Sequence, residues 1–337
     1  MNRDKKGFLA RKNIEFSLER YGVQALGFMA QGLFASLIVG LILKVLGERL
    51  HFPILLEFSK TAMGMMGPAI GVAIAYGLEA PPLVIFTSVV TGAAGAALGG
   101  PVGAFIAAVI GAEFGKAISK ETKLDIVLTP ATVIITGMLA AKFVGPGIDA
   151  LMKGLGQVIM RATELQPIPM GILVSVLMGI ALTLPISSAA IGIMLSLSGL
   201  AAGAATVGCS AQMIGFAVMS FRENGWGGAV SQGLGTSMLQ MPNIVKNPLI
   251  WIPPTLAGAI LGPIATTIIP MKNIPIGSGM GTAGLVGQFG TIEAMGTGAI
   301  FSIILLHFIL PAILTWLIAE FMRKQGLIKE NDLLLDL

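Results

Sequence analysis

One carboxylate stands out for chemistry. Glu293 lies in the stretch Asn273–Thr297, NIPIGSGMGTAGLVGQFGTIEAMGT, which is rich in glycine and set between two long apolar runs. The same stretch carries Ser278, Thr282, Gln288 and Thr291. A carboxylate accepts hydrogen bonds, an amide both gives and accepts, and a hydroxyl does either. Glycine lets main-chain donors approach a ligand closely. Together these residue types suit a hydroxyl-rich solute. Polar, broken backbone at membrane depth is tolerated only where it is buried in protein or lines a wet cavity, and an ionisable residue there points to function. The expectation is a re-entrant, substrate-facing hairpin with a buried Glu293 near its tip. The alternative is a structural carboxylate, paired to a neighbour or held by helix N-terminal amides.

A second stretch, Gly225 to Lys246, is also too polar and glycine-rich to face lipid, with Ser231, Gln232, Thr236, Ser237, Gln240 and Asn243. Gln240 and Asn243 flank Pro242, which frees a backbone carbonyl, so they are candidate ligands for the same solute or caps of a loop. Gln212, in GCSAQM, is a further candidate. His307 sits among Ile, Leu and Phe and is expected to be packed and hydrogen-bonded; His51 lies in a surface-like segment. Glu79, Glu113 and Lys116 fall at span ends, where snorkelling to the interface is expected. Two distant histidines and one cysteine, Cys209, make no metal site. No phosphate-binding P-loop sequence is present. No cofactor is therefore expected.

The elements that must position these groups are membrane spans. Of the 337 residues 55% are hydrophobic and 11% charged, against about 25% charged in a soluble domain. Lipid must be the solvent, and low aromatic content argues against a porin-like barrel. The fold class is an all-α polytopic membrane protein of about eight to ten transmembrane helices with re-entrant hairpins. Spans are expected near Val23–Val45, Ala62–Tyr76, Pro82–Ile118 (two, split at Gly99-Gly100-Pro101), Pro130–Val144 (ended by Gly145-Pro146-Gly147), Met170–Leu184, Ile186–Phe221, Leu249–Ile269 and Ala299–Phe321. Ile148–Glu164 is amphipathic, with Ile148, Leu151, Leu155, Val158 and Ile159 opposite Asp149, Lys153, Arg161 and Glu164, and suits a surface position.

Residues 1–22 form a basic segment expected to lie as an amphipathic helix on the cytoplasmic membrane surface. Its first twenty residues lack an apolar h-region, so no cleavable leader is expected. Residues 23–322 form one transmembrane domain with its core site at 185–298, and 323–337 a cytoplasmic tail. Placing the N-terminus inside puts 14 of the 21 Lys and Arg on the cytoplasmic side. That bias favours both termini inside, and it requires Gly225–Lys246 and Asn273–Thr297 to return to the side they left. The net charge of +4 reports topology and not a nucleic-acid partner. Pro185-Ile-Ser-Ser-Ala also echoes Pro275-Ile-Gly-Ser-Gly, and Gly208–Met213 echoes Phe289–Ala294 at a different offset. If that echo is structural, two broken elements face each other.

Gly290-Thr291-Ile292-Glu293 is similar to the GITE-like or NxNEP-like motif of phosphotransferase-system sugar permeases, the EIIC subunits. The chain resembles their PfoR-type branch, through LPISSAAIGIML, GCSAQMIGFAVMSFRENG, LGTSMLQMPNIVKNP and IPIGSGMGTAGLVGQFGTIEAMG, which cover Pro185 to Gly298. The resemblance implies a homodimeric transporter in the bacterial plasma membrane, with Glu293 bonding sugar hydroxyls and Thr291 as its motif neighbour. It also implies a separate EIIB protein as the source of any phosphoryl group. Here Ala294 stands where the motif has proline, and no histidine matches the one that several EIIC proteins place near the site. The other reading is a membrane solute sensor or regulator, which binds solute in the same pocket without moving it.

Overall fold

A computed structural model describes residues 7–163 and 165–335. Residues 1–6 of the expected amphipathic segment, Glu164 and residues 336–337 lie outside the described residues, as do the side chains of Arg49, Asp149, Lys153 and Leu155. The structure is 82% helical without strands among the described residues. Among the described residues, six helices are long and apolar enough to cross a membrane: Glu19–Glu48, Pro82–Ile118, Asp125–Ile148, Gly199–Met219, Pro248–Ile268 and Thr297–Lys324. Met66–Gly77 and Pro167–Thr183 are shorter apolar helices. The chain forms two compact units, one of Met1–Gly40 and Glu57–Leu151, the other of Leu41–Leu56 and Met152–Leu337.

In the first unit, Pro82–Ile118 doubles back on itself. Gly99 and Gly100 leave helical geometry, and Gly100 has φ 59°, which a side chain at that position would strain. Gly95 then packs on Gly103, eight residues later, so closely that a Cβ on either would strike the other's backbone. In a straight helix those residues would lie about 12 Å apart. The expected split at Gly99-Gly100-Pro101 is therefore a tight helical hairpin. Met66–Gly77 packs along its first limb through Gly67 and Gly71 against Ser88 and Gly92. Small residues at a spacing of four let two backbones touch where lipid supplies no hydrophobic drive between helices. Counting the hairpin as two limbs, these apolar segments number nine.

Asp125–Thr163 runs on as one helix with Pro130 and Pro146 inside it. The expected break at Gly145-Pro146-Gly147 does not occur. Gly145 instead gives the room to pack against Leu98, and neighbouring helices make an internal proline tolerable at membrane depth. The expected amphipathic segment Ile148–Glu164 is the continuation of this helix through Thr163, with Ile148 and Ile159 buried and Leu151 and Val158 exposed.

The basic N-terminal segment differs from expectation over its described residues. Phe8–Arg11 is a single helical turn, Asn13 has φ 55°, and helix resumes only near residue 18, where the first long helix begins. The reason is non-local bonding. Lys12 donates to the Ser119 carbonyl and pairs with Glu121, Asn13 donates to Glu79 at 2.7 Å, and Arg20 donates to the Leu78 carbonyl at 2.8 Å. The Lys12 bond and charge hold the Glu121 carboxyl below the usual carboxylate range. Glu113 and Lys116 do not snorkel. They are 8% and 2% exposed, pair at 3.0 Å, and Lys116 also donates to the Leu78 carbonyl at 3.0 Å.

The second unit is built around Gly199–Met219, buried on nearly all sides. Its neighbours are Pro167–Thr183, Pro248–Ile268 and Thr297–Lys324. Gly208 abuts Gly179 and Ser175, Gly171 abuts Gly262, and Gly215 abuts Thr315. Ser175 donates across to the Gly258 carbonyl at 2.8 Å. Three irregular stretches surround this bundle: the short helix Ser188–Met194, residues 221–246, and residues 273–297. The expected single apolar run Ile186–Phe221 is thus cut by a turn, with Ser196 at φ 49° and Gly199 at φ 61°.

Replacing Lys116 with Ala removes the nearer cation from the buried Glu113 carboxylate, leaving Arg20 at 3.9 Å, and should destabilise the first unit by about 3 kcal/mol. Replacing Glu113 with Gln as well should restore much of that loss, which denaturant titration in detergent would read.

Candidate functional site

The stretch 273–297 is a broken hairpin clasped by its first residue. Asn273 is 1% exposed. Its amide nitrogen donates to the Thr206 hydroxyl at 2.7 Å and to the Gly287 carbonyl at 2.9 Å, and its amide oxygen accepts from the Ile274 N–H at 2.7 Å. Its main chain bridges that of Gly199 in both directions, at 3.1 and 3.2 Å. Gly277 and Gly290 flank the Asn273 amide oxygen so tightly that a Cβ on either would collide with it. One turn, Pro275–Ser278, leads out, left-handed residues at Gly281, Gly284 and Leu285 reverse the chain, and the helix Val286–Met295 returns. The backbone is broken as expected.

The expected residues fall into three settings. The first is the returning helix, where Thr291 is fully buried and donates to the Gly287 carbonyl at 3.0 Å. Gln288 is also buried, with its amide nitrogen 3.1 Å from Nδ1 of His307, itself fully buried. The Gln288 amide oxygen and His307 Nε2 have no hydrogen-bond partner among the described residues. Glu293, two residues beyond Thr291 and so about 200° round the helix, is exposed instead of buried. It lies near the end of the returning helix and not at the hairpin tip, because the reversal occurs at 279–285. Its carboxylate has no hydrogen bond or ion pair among the described residues.

The second setting is the hairpin's outward limb and turn. Ser278 donates to the Pro275 carbonyl at 2.8 Å and lies against Gly192. Thr282 donates to the Gly233 carbonyl, which joins the hairpin to the broken element 221–246. Ser188 donates to the Gly279 carbonyl at 2.6 Å. The two echoing segments, beginning at Pro185 and Pro275, therefore lie against each other.

The third setting holds the amides that do not converge on Glu293. Gln212 accepts from Thr183 at 3.2 Å and from the Trp251 indole N–H at 3.0 Å, and donates to Thr255 at 3.0 Å. Thr183 also bonds Ser237 at 2.8 Å. Gln212 is thus the centre of a satisfied network that ties four elements together. Gln240 and Asn243 are spent on Gln232, on each other and on main-chain carbonyls of residues 333 and 334. Asn273, Thr183, Ser237 and Trp251 were not legible as partners, since nothing local specifies what a buried amide will meet. Gly277 and Gly290 flank Asn273 only in space, so the sequence around it carries no such signal.

The family model for the phosphotransferase system EIIC matches residues 23–335. The chain belongs to the phosphotransferase system EIIC family. No curated protein matches, and no solved structure does. EIIC membership accounts for the apolar helices, so the chain is a multi-pass, permease-like membrane protein. The match spans the hairpin, the element 221–246 and the tail alike. In the EIIC family a sugar-like substrate and an EIIB partner are the general rule.

Replacing Asn273 with Ala leaves the Ile274 N–H without its buried acceptor and removes the donor to Thr206 and to the Gly287 carbonyl, which Thr291 still reaches. The expected cost is about 2–3 kcal/mol, read as a lowered midpoint of unfolding in detergent, with Gly290→Val similarly damaging through steric collision.

Proposed function

We propose that this EIIC protein carries a sugar-like, hydroxyl-rich solute across the membrane on the hairpin 273–297, with Glu293 as the principal ligand. The observation that carries this reading is an imbalance. Glu293 is left without a protein partner among the described residues, while Ser278, Thr282 and Thr291 of the same hairpin are hydrogen-bonded within the fold. A free carboxylate on a rigidly clasped helix accepts from two adjacent hydroxyls at little ordering cost. Charge-assisted bonds of that kind are the stronger ones. Gln288, on the same helix, and His307, on the last span, each keep one buried polar atom unpartnered among the described residues.

Thr282 couples the hairpin to 221–246, so the two broken elements move together. In this reading both are re-entrant, and the charge bias sets both termini in the cytoplasm of a bacterial cell. Residues 23–322 serve as the transport domain, and the protein works as a homodimer. The phosphoryl group comes from a separate EIIB. Cys209 is fully buried inside the central helix, so a soluble phosphocarrier cannot reach it.

Because the Glu293 side chain makes no internal bond, its replacement separates function from folding. Glu293→Gln should change stability by less than about 0.5 kcal/mol. It should weaken solute binding at least tenfold in calorimetry against a panel of sugars, and it should abolish uptake in proteoliposomes. Unchanged affinity would remove Glu293 from the site. Binding by the wild type with no uptake or exchange, with and without EIIB, would favour the sensor over the permease.

A further inference from the structure

Residues 327–335 are held by a set of amide side chains. After the last span, Gly326 turns the backbone at φ 72°, and the segment 327–335 folds back along the element 221–246. Asn224 donates to the Leu333 carbonyl at 2.8 Å and accepts from the Leu335 N–H at 2.8 Å. Gln240 donates to the same Leu333 carbonyl at 3.0 Å, and Asn243 to the Leu334 carbonyl at 2.8 Å. Asn247 donates to the Leu327 carbonyl at 3.1 Å and to the Asp332 carboxylate at 2.7 Å. Ile328 and Leu333 are 2% and 0% exposed. A cavity of about 310 Å³ remains beside them, lined by Asn243, Lys246, Asn331, Asp332, Leu334 and Leu335.

Two features set this apart from a tail that merely lies on a surface. All but one of these bonds go to main-chain atoms, which is how extended peptides are captured. The bonds also bridge two limbs. Asn224 sits in Phe221–Val230, one residue before Gly225 at φ 56°, whereas Gln240, Asn243 and Asn247 lie beyond the break at Gly235–Thr236. The Leu333 carbonyl receives a donor from each limb. Gln232, between them, donates to Ser220 at 2.8 Å and accepts from Gln240 at 2.9 Å, so the amides form one continuous chain. Gly233, next in sequence, accepts from Thr282 of the hairpin.

We infer that residues 327–335 form a conformational strap, an internal peptide ligand that locks the two limbs of 221–246 across the Gly225 bend and the Gly235–Thr236 break. Releasing the strap loosens 221–246 and with it the Thr282 contact to the hairpin. Gln240 and Asn243, expected from sequence to be solute ligands, instead hold the main chain of Leu333 and Leu334.

Hydrogen–deuterium exchange on the full chain in nanodiscs, without solute, tests this. The comparison is wild type against Asn224→Ala and Asp332→Ala. Each variant should raise exchange of residues 327–335 by about tenfold, the effect of losing one or two hydrogen bonds. Exchange across 221–246 should rise with it, while Gly199–Met219 stays protected. Asp332 lies on the tail, so Asp332→Ala decides the coupling alone if Asn224→Ala does not fold. A freed tail beside an unchanged 221–246, or a tail already unprotected in the wild type, overturns the inference. Neither result bears on Glu293, which this experiment does not probe.

Discussion

The architecture of the second unit depends on one buried amide. Asn273 has both ends of its side chain committed, to Thr206 and Gly287 on one side and to its own neighbour's N–H on the other. An amide buried this deeply is costly unless every valence is met, and meeting them fixes three segments at once. The start of the hairpin is pinned to the central helix, the returning helix is pinned to the start, and glycine is required where Gly277 and Gly290 pass. Glu293 inherits its position from that clasp, although it touches none of it.

Close backbone packing and interhelical hydrogen bonds work beside the buried apolar clusters. Helices in lipid gain little from excluding water, so contact has to come from backbones drawn together by small residues and from hydrogen bonds between helices. Gly208 against Ser175 and Gly179, and Gly95 against Gly103, show the first. Ser175 to Gly258 and the Gln212 network show the second. Polar groups that sequence alone marks as ligands are, in most cases, this glue. The residue left over after the glue is assigned is Glu293.

Membrane class and the two broken elements were legible because composition decides them. The hairpin at Gly99-Gly100-Pro101 was legible for the same reason that Gly145-Pro146-Gly147 was misleading. Glycine and proline serve both to break a helix and to let another approach it, and only the neighbour decides which. Leu98 beside Gly145 makes the second case one of approach. The N-terminal segment was read as amphipathic from its own pattern. Its course is set by Glu79, Leu78 and Ser119, between 58 and 107 residues away in sequence. Gln240 and Asn243 were legible as amides awaiting acceptors, but not as amides whose acceptors lie 93 and 91 residues later. Residue type tells what a side chain can bond, and the fold chooses the partner.

The central claim is that Glu293 faces a polar, moving site and not lipid. Cys209 is wholly buried and is the chain's single cysteine, so Glu293→Cys introduces one reactive thiol. Labelling it in oriented proteoliposomes with a membrane-impermeant maleimide, applied from each side in turn, measures the claim directly. The account predicts reaction from both faces. Absence of reaction from either face would place position 293 against lipid and contradict it.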